Sequence, residues 1–228
     1  MGEVVSELGF SLGPEKNSAI HNMPTPSCKK DLQRLSGMIN FLTKYIPNMS
    51  KLTVPLRSLL KCDEPWAWFS EHDTALTIFK SVLSSAPVLR FYDTNLLTKL
   101  QVDASKFGLG ACFMQQNQPV AYASRAMSNP EVNYAHMEKE LLAIVFGCER
   151  FNMYTYGTKI EVLSDHKHLE SIFKKPLFKV PPRLRLRLQK YYLKVKYVPG
   201  KFLKIAHTLF KTFDQTSDPT GNDMHHDT

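Results

Sequence analysis

Residues 98–124 read TKLQVDASKFGLGACFMQQNQPVAYAS, and the fold follows from this stretch. Residues 98–103 and 110–115 have the composition and period-two pattern of strands, with Gly108 and Gly110 loosening the turn between them. A third strand, 120–124, follows a turn at Asn117 and Gln118. Three such strands in succession make a meander.

Downstream, the period lengthens. Residues 133–151 predict a long helix with Met137, Leu141, Ile144, Val145 and Cys148 along one side. Residues 159–164 then predict a strand, 166–173 and 184–192 two short helices, and 194–198 a last strand. The order describes an α/β domain with a mixed five-stranded sheet over about residues 89–213. Upstream the chain reads as mostly helical. Leu32, Leu35, Ile39, Leu42 and Ile46 form one apolar helical face that Pro47 ends, and residues 55–60 suggest a short helix. Ser70 and Asp73 have the spacing of a capping box ahead of a stripe of Leu76, Phe79 and Leu83. Residues 214–228 hold little apolar content and are expected to form a disordered tail.

Length and composition exclude several classes. At 228 residues, 43% hydrophobic and 22% charged, with 10 Gly and 14 Pro, the chain is neither disordered nor a small disulfide scaffold. No apolar run reaches the roughly 18 residues of a membrane span. Cys28, Cys62, Cys112 and Cys148 are widely spaced, which suits a reducing intracellular compartment, cytoplasmic or nuclear. Met1, Gly2 and Ser6 fit a myristoylation pattern too short to carry weight.

Net charge is +8, and its placement is uneven. Residues 171–213 carry twelve Lys and Arg and no acid. Interleaved with Phe173, Phe178, Tyr191, Tyr192 and Tyr197, this stripe suits a polyanion such as nucleic acid, and the plain alternative is a solvated basic face. Lys174, Lys175, Lys179, Arg183, Arg185, Arg187 and Lys190 are the candidate phosphate contacts.

Carboxylates supply the candidate chemistry. Asp103 closes the first predicted strand, Asp165 follows the fourth, and Glu138 and Glu140 lie on the long helix between them. Gathered together, such groups hold hard divalent cations of the kind that assist phosphodiester hydrolysis. Helical geometry does not choose between the two glutamates. Each acid taken singly is also explained structurally, Asp103 as a turn former, Asp165 as a helix cap and the glutamates as solvated charges. The histidines show no zinc-ligand spacing: His166 and His168 are two apart, and His136 is elsewhere.

The motifs 100–110 (LQVDASKFGLG), 119–125 (PVAYASR), 133–145 (NYAHMEKELLAIV), 164–166 (SDH) and 197–201 (YVPGK) resemble, in order and spacing, the RNase H domain of gypsy-class LTR retrotransposon polymerases. Residues 8–24, 31–60 and 66–92 resemble the end of the palm and the thumb or connection of the same polyprotein. The resemblance implies an RNase H-like sheet flanked by helices, preceded by a small helical thumb or connection segment. Its implied divisions are a palm end over 1–24, thumb or connection over 25–88, and RNase H-like domain over 89–213. By matching motifs it implies that Asp103, Glu140 and Asp165 hold two Mg²⁺ ions and that the domain hydrolyses the RNA strand of RNA/DNA hybrids. The implied partners are a hybrid or other nucleic acid and the remaining polymerase domains, with no membrane.

This sequence departs from the family pattern in three places. His207 stands where the family has a fourth metal-binding aspartate. A neutral imidazole supplies neither the charge nor the hardness that Mg²⁺ prefers, so a weakened second site and a better response to Mn²⁺ are expected. Residues 181–193 are about three residues short of the pattern, nearly one helical turn. The sequence starts at the equivalent of the palm's end and has no Tyr-x-Asp-Asp motif, so no polymerase activity is expected from this chain alone. The alternative to an impaired nuclease is a non-catalytic nucleic-acid-binding or structural remnant.

Overall fold

The computed structural model describes residues 3–200 other than 48, 63, 107 and 175–179, together with Leu203. The 214–228 stretch, expected to be a disordered tail, lies outside the described residues, as do Lys175, Lys179 and His207.

The chain opens with a hairpin, β1 (Glu3–Ser6) and β2 (Gly9–Leu12), within a part that the sequence reads as mostly helical. At four residues each, the strands are too short for a period-two signal to stand out. A bridge supports them instead: the Phe10 and Leu89 backbones exchange hydrogen bonds of 2.8 and 2.9 Å. Gly9 permits this contact, since its φ is +139° and a Cβ there would sit 2.0 Å from the Leu89 carbonyl oxygen. Helices α1 (Pro14–His21), α2 (Lys29–Leu42), α3 (Met49–Leu52), α4 (Val54–Ser58) and α5 (Ser70–Ser84) follow. α2 ends four residues before the predicted Ile46, in a single 3₁₀ turn over Thr43–Tyr45. The expected capping box of α5 is not formed by Ser70, which is already helical. The Phe69 N–H donates to Nδ1 of buried His72 instead, at 2.9 Å.

The second half contains β3 (Thr98–Ala104), β4 (Gly108–Gln115), β5 (Gln118–Ala126), α6 (Asn129–Val132), α7 (His136–Arg150), α8 (Asn152–Thr155), β6 (Lys159–Ser164), α9 (Lys167–Phe173), α10 (Pro182–Leu188) and β7 (Tyr192–Tyr197). The strands form one sheet in the order β5-β4-β3-β6-β7, antiparallel within the meander and parallel from β3 to β6 and from β6 to β7. The helix predicted over 133–151 is α7, which begins three residues later, at His136, because Ala135 is extended at ψ 150°. The helix predicted over 184–192 is α10, shifted toward the N-terminus, and Tyr192 is already in β7.

The mixed sheet is buried on both faces where it matters most. Leu100, Val102, Ala111 and Phe113 pack with Ile144, Val145, Leu184 and Leu188 on one side. Cys112, Met114 and Tyr122, pointing the other way, join Leu32, Leu35, Leu76 and Phe79 of α2 and α5. This double burial explains why all eight residues of β4 are inaccessible and why it reads as an almost unbroken apolar run. α7 lies close on the sheet at Gly147, where a Cβ would meet the Leu100 and Ala111 side chains at 3.1–3.2 Å. That approach fixes the height of every α7 side chain over β3. All four cysteines are free, Cys112 and Cys148 in the core and Cys28 and Cys62 at the surface.

Candidate active site

The C-terminal ends of β3 and β6 lie near one another in the parallel pair, and α7 covers the same region. Asp103 is the penultimate residue of β3, directly across from Gly110, which has no side chain to crowd it. Asp165 immediately follows β6. Glu140 is in the second turn of α7, with only 1% of its surface exposed.

Asp103 and Asp165 lie close enough to Glu140 for their charges to act on it. Burial pushes the Glu140 carboxyl up to about 8, and the negative charges of Asp103 and then Asp165 push in the same direction, against a backbone N–H donated by Ala104. A carboxyl so placed is largely protonated at neutral pH unless a cation joins it. Its Oε2 is buried without a hydrogen-bond partner. His166 Nδ1 is 3.4 Å from that oxygen, outside hydrogen-bond geometry, and instead bonds Asp165 Oδ1 at 2.9 Å. Gly200, in the 197–201 motif, backs onto the Asp165 carboxylate.

The structure assigns Glu138 a different place from Glu140. Its carboxylate accepts the Ala135 N–H at 3.3 Å, capping α7, and pairs with Arg183 at 3.1 Å. Helical periodicity put both glutamates at the edges of the apolar face. What separates them is the start of α7 at His136, which puts Glu138 in the first turn.

Sequence spacing separated His136 from His166, and the structure brings them together. Their rings lie 4.5 Å apart between centroids. The signal was present in the four-residue spacing of His136 and Glu140, one helical turn, but it needed the helix start to be read.

The basic stripe is not a bare positive face. α10 lies on α7, so acids distant in sequence come to meet it. Arg187 makes two hydrogen bonds to Glu149, at 2.6 and 2.8 Å, and holds that carboxyl below its ordinary range. Arg183 reaches Glu138 and stacks over the Tyr134 ring at 4.2 Å, and Lys174 pairs with Glu170 at 2.6 Å. Arg185 is partly buried, and Lys190 lies 5.1 Å from the centre of the Tyr191 ring.

Comparisons with known proteins place this architecture. Residues 68–162 match the description "RNase H-like domain found in reverse transcriptase". The Tf2-3 and Tf2-4 transposon polyproteins of Schizosaccharomyces pombe are each 33% identical over 226 residues, 95% of this chain but 17% of each polyprotein. The chain therefore spans about a sixth of the length of these relatives. Among solved structures, a foamy viral protease-reverse transcriptase in complex with RNA/DNA hybrid aligns with a TM-score of 0.73 and 26% identity, over 88% of this chain and 29% of that one. A foamy viral protease-reverse transcriptase dRH in complex with double-stranded DNA gives the same score and identity over 87% and 37%. The sheet order, the motifs and these relatives agree: the chain carries an RNase H-like domain of the kind found in reverse transcriptase, and it is similar to the retrotransposon polyproteins over nearly its whole length.

Proposed function

We propose that this domain is a two-metal ribonuclease H-type endonuclease in which Asp103, Glu140 and Asp165 hold the cations and the substrate is the RNA strand of an RNA/DNA hybrid. The observation that carries the reading is Glu140: a carboxyl buried from water, with an unpartnered oxygen, facing two aspartates whose charges oppose its own ionisation. Folding alone gives no reason to keep such a group, because a buried polar oxygen without a hydrogen-bond partner is costly. A divalent cation gives one, and an all-oxygen donor set suits Mg²⁺ or Mn²⁺. When bound, the ions supply an activated water and charge stabilisation at the scissile phosphate.

The chain's own residues set the rest. β3 and β6 hold the two aspartates on a rigid sheet, and the tight seat of α7 at Gly147 sets the height of Glu140 above them. His166, bonded to Asp165, orients that carboxylate and shields one of its oxygens. Hybrid binding draws support from the solved relatives, one of which is in complex with an RNA/DNA hybrid. In this reading residues 25–88 are the thumb or connection, 89–213 the nuclease, and 1–24 the end of a palm, with the remaining polymerase domains as partners.

His207 in place of the fourth acid weakens the second ion, so cleavage is slow in Mg²⁺ and faster in Mn²⁺. The test is cleavage of a labelled hybrid by the parent and by His207→Asp. A gain in Mg²⁺ by the variant is expected. No cleavage by either protein in either metal would favour a hybrid-binding module without hydrolysis. The ion pairs already formed by Arg183 and Arg187 weigh against that second reading, since they leave fewer uncommitted cations for phosphates.

A further inference from the structure

His136 and Glu140 stand one turn apart on α7, and His166 enters from the turn between β6 and α9. One ligand atom from each lies within 4.8 Å of the other two. This constellation differs from the three-carboxylate set in its chemistry: two imidazole nitrogens and one carboxylate oxygen. We infer that His136, Glu140 and His166 form a site for a borderline transition-metal cation, Zn²⁺ by donor type, which shares Glu140 with the hydrolytic carboxylates.

Three arguments support the assignment. Two histidines and a glutamate with a fourth position open is a common zinc donor set, whereas Mg²⁺ disfavours nitrogen. Glu140 aims an unpartnered oxygen, on a side chain with 1% exposure, into the group. The adjustment needed is small. Ligand atoms about 2.0–2.1 Å from a tetrahedral ion stand roughly 3.4 Å apart, so rings now within 4.8 Å must swing inward by about 1 Å. His136 is exposed at the first residue of α7 and His166 is 28% exposed, so both can move without disturbing the core.

Zinc at this site takes Glu140 away from the hydrolytic set and inhibits Mg²⁺-supported cleavage. That inhibition rests on the function proposed above, but the binding does not. The decisive experiment therefore reads binding without substrate: equilibrium dialysis of Zn²⁺ against the full chain, with the visible absorption of Co²⁺ reporting the coordination. The background carries His225→Ala and His226→Ala, which removes the adjacent histidine pair near the C-terminus.

We expect His136→Ala and His166→Ala each to weaken Zn²⁺ binding by at least about tenfold, because each removes a ligand. Asp103→Asn is expected to change it by less than about threefold, since that residue belongs to the oxygen set alone. Wild-type affinity in the two histidine variants overturns the site, as does an equal loss in Asp103→Asn, which would put the ion on the carboxylates. Loss of cleavage in every protein with the binding pattern intact would overturn the nuclease reading and leave the zinc site standing.

Discussion

Two glutamates nine residues apart, Glu131 and Glu140, have opposite surroundings. Glu131 sits at the corner where β5 passes into α6. It accepts two hydrogen bonds from Arg125, at 2.7 and 2.8 Å, and one from the Ser128 N–H at 2.8 Å, and its carboxyl is held down to about 2. Glu140 has one backbone N–H, no Lys or Arg pair among the described residues, and the charges of two aspartates acting on it, and its carboxyl is pushed up to about 8. One acid is satisfied by the fold and stabilises it. The other is left unsatisfied and destabilises it, which is the signature of a group placed for a ligand.

The largest effect that could break this contrast is on hydrolysis. Glu140→Gln should lower hybrid cleavage at least about a hundredfold, because it removes a charged ligand while keeping shape. Glu131→Gln should leave cleavage per folded molecule nearly unchanged. Equal losses in the two variants would mean that the corner and the pocket do not differ in role.

Stability should move the other way. Because the Glu140 carboxyl rises from an ordinary 4.5 to about 8 on folding, the unfolded chain binds fewer protons between those values. Stability of the metal-free protein therefore falls as pH rises through that window and is flat above it. Glu140→Gln removes the slope and should add on the order of 3 kcal/mol at pH 8, roughly 5–10 °C in Tm. Adding Mn²⁺ should recover part of this for the wild type and none for the variant. A variant that melts lower than wild type at pH 8 would show that the pocket tolerates the charge.

Much of this was legible in the sequence, and what was not has physical causes. The meander and β6 follow from strand composition and turn signals, although β4, buried on both faces, reads as a nearly unbroken apolar run, and the choice of Asp103, Glu140 and Asp165 comes from the family resemblance. The β1 and β2 hairpin was not legible, because strands of four residues bridged to Leu89 depend on a partner distant in the chain. The sequence puts the start of α7 three residues early, because Ala135 is extended. The consequences were the undecided glutamates and the overlooked His136. Charge segregation along the chain does not show that α10 sets Arg183 and Arg187 against Glu138 and Glu149, since those acids are distant in sequence.

The smallest effect sharpens the comparison from the satisfied side. The Glu131 carboxyl is lowered from 4.5 to about 2 on folding, so the unfolded chain binds more protons between those values. Its contribution is complete above about pH 4.5 and is lost as pH falls toward 2, the reverse of the Glu140 slope. With the Arg125 side chain 34% exposed and Glu131 16%, solvent screens part of the pair, and Glu131→Gln should cost about 1–2 kcal/mol at pH 7. Denaturant midpoints at pH 7 and pH 3 should show the wild type losing more between the two than the variant. If both lose alike, the Arg125 contacts contribute geometry at this corner without stability, and only the buried acid would titrate on folding in the way the comparison requires.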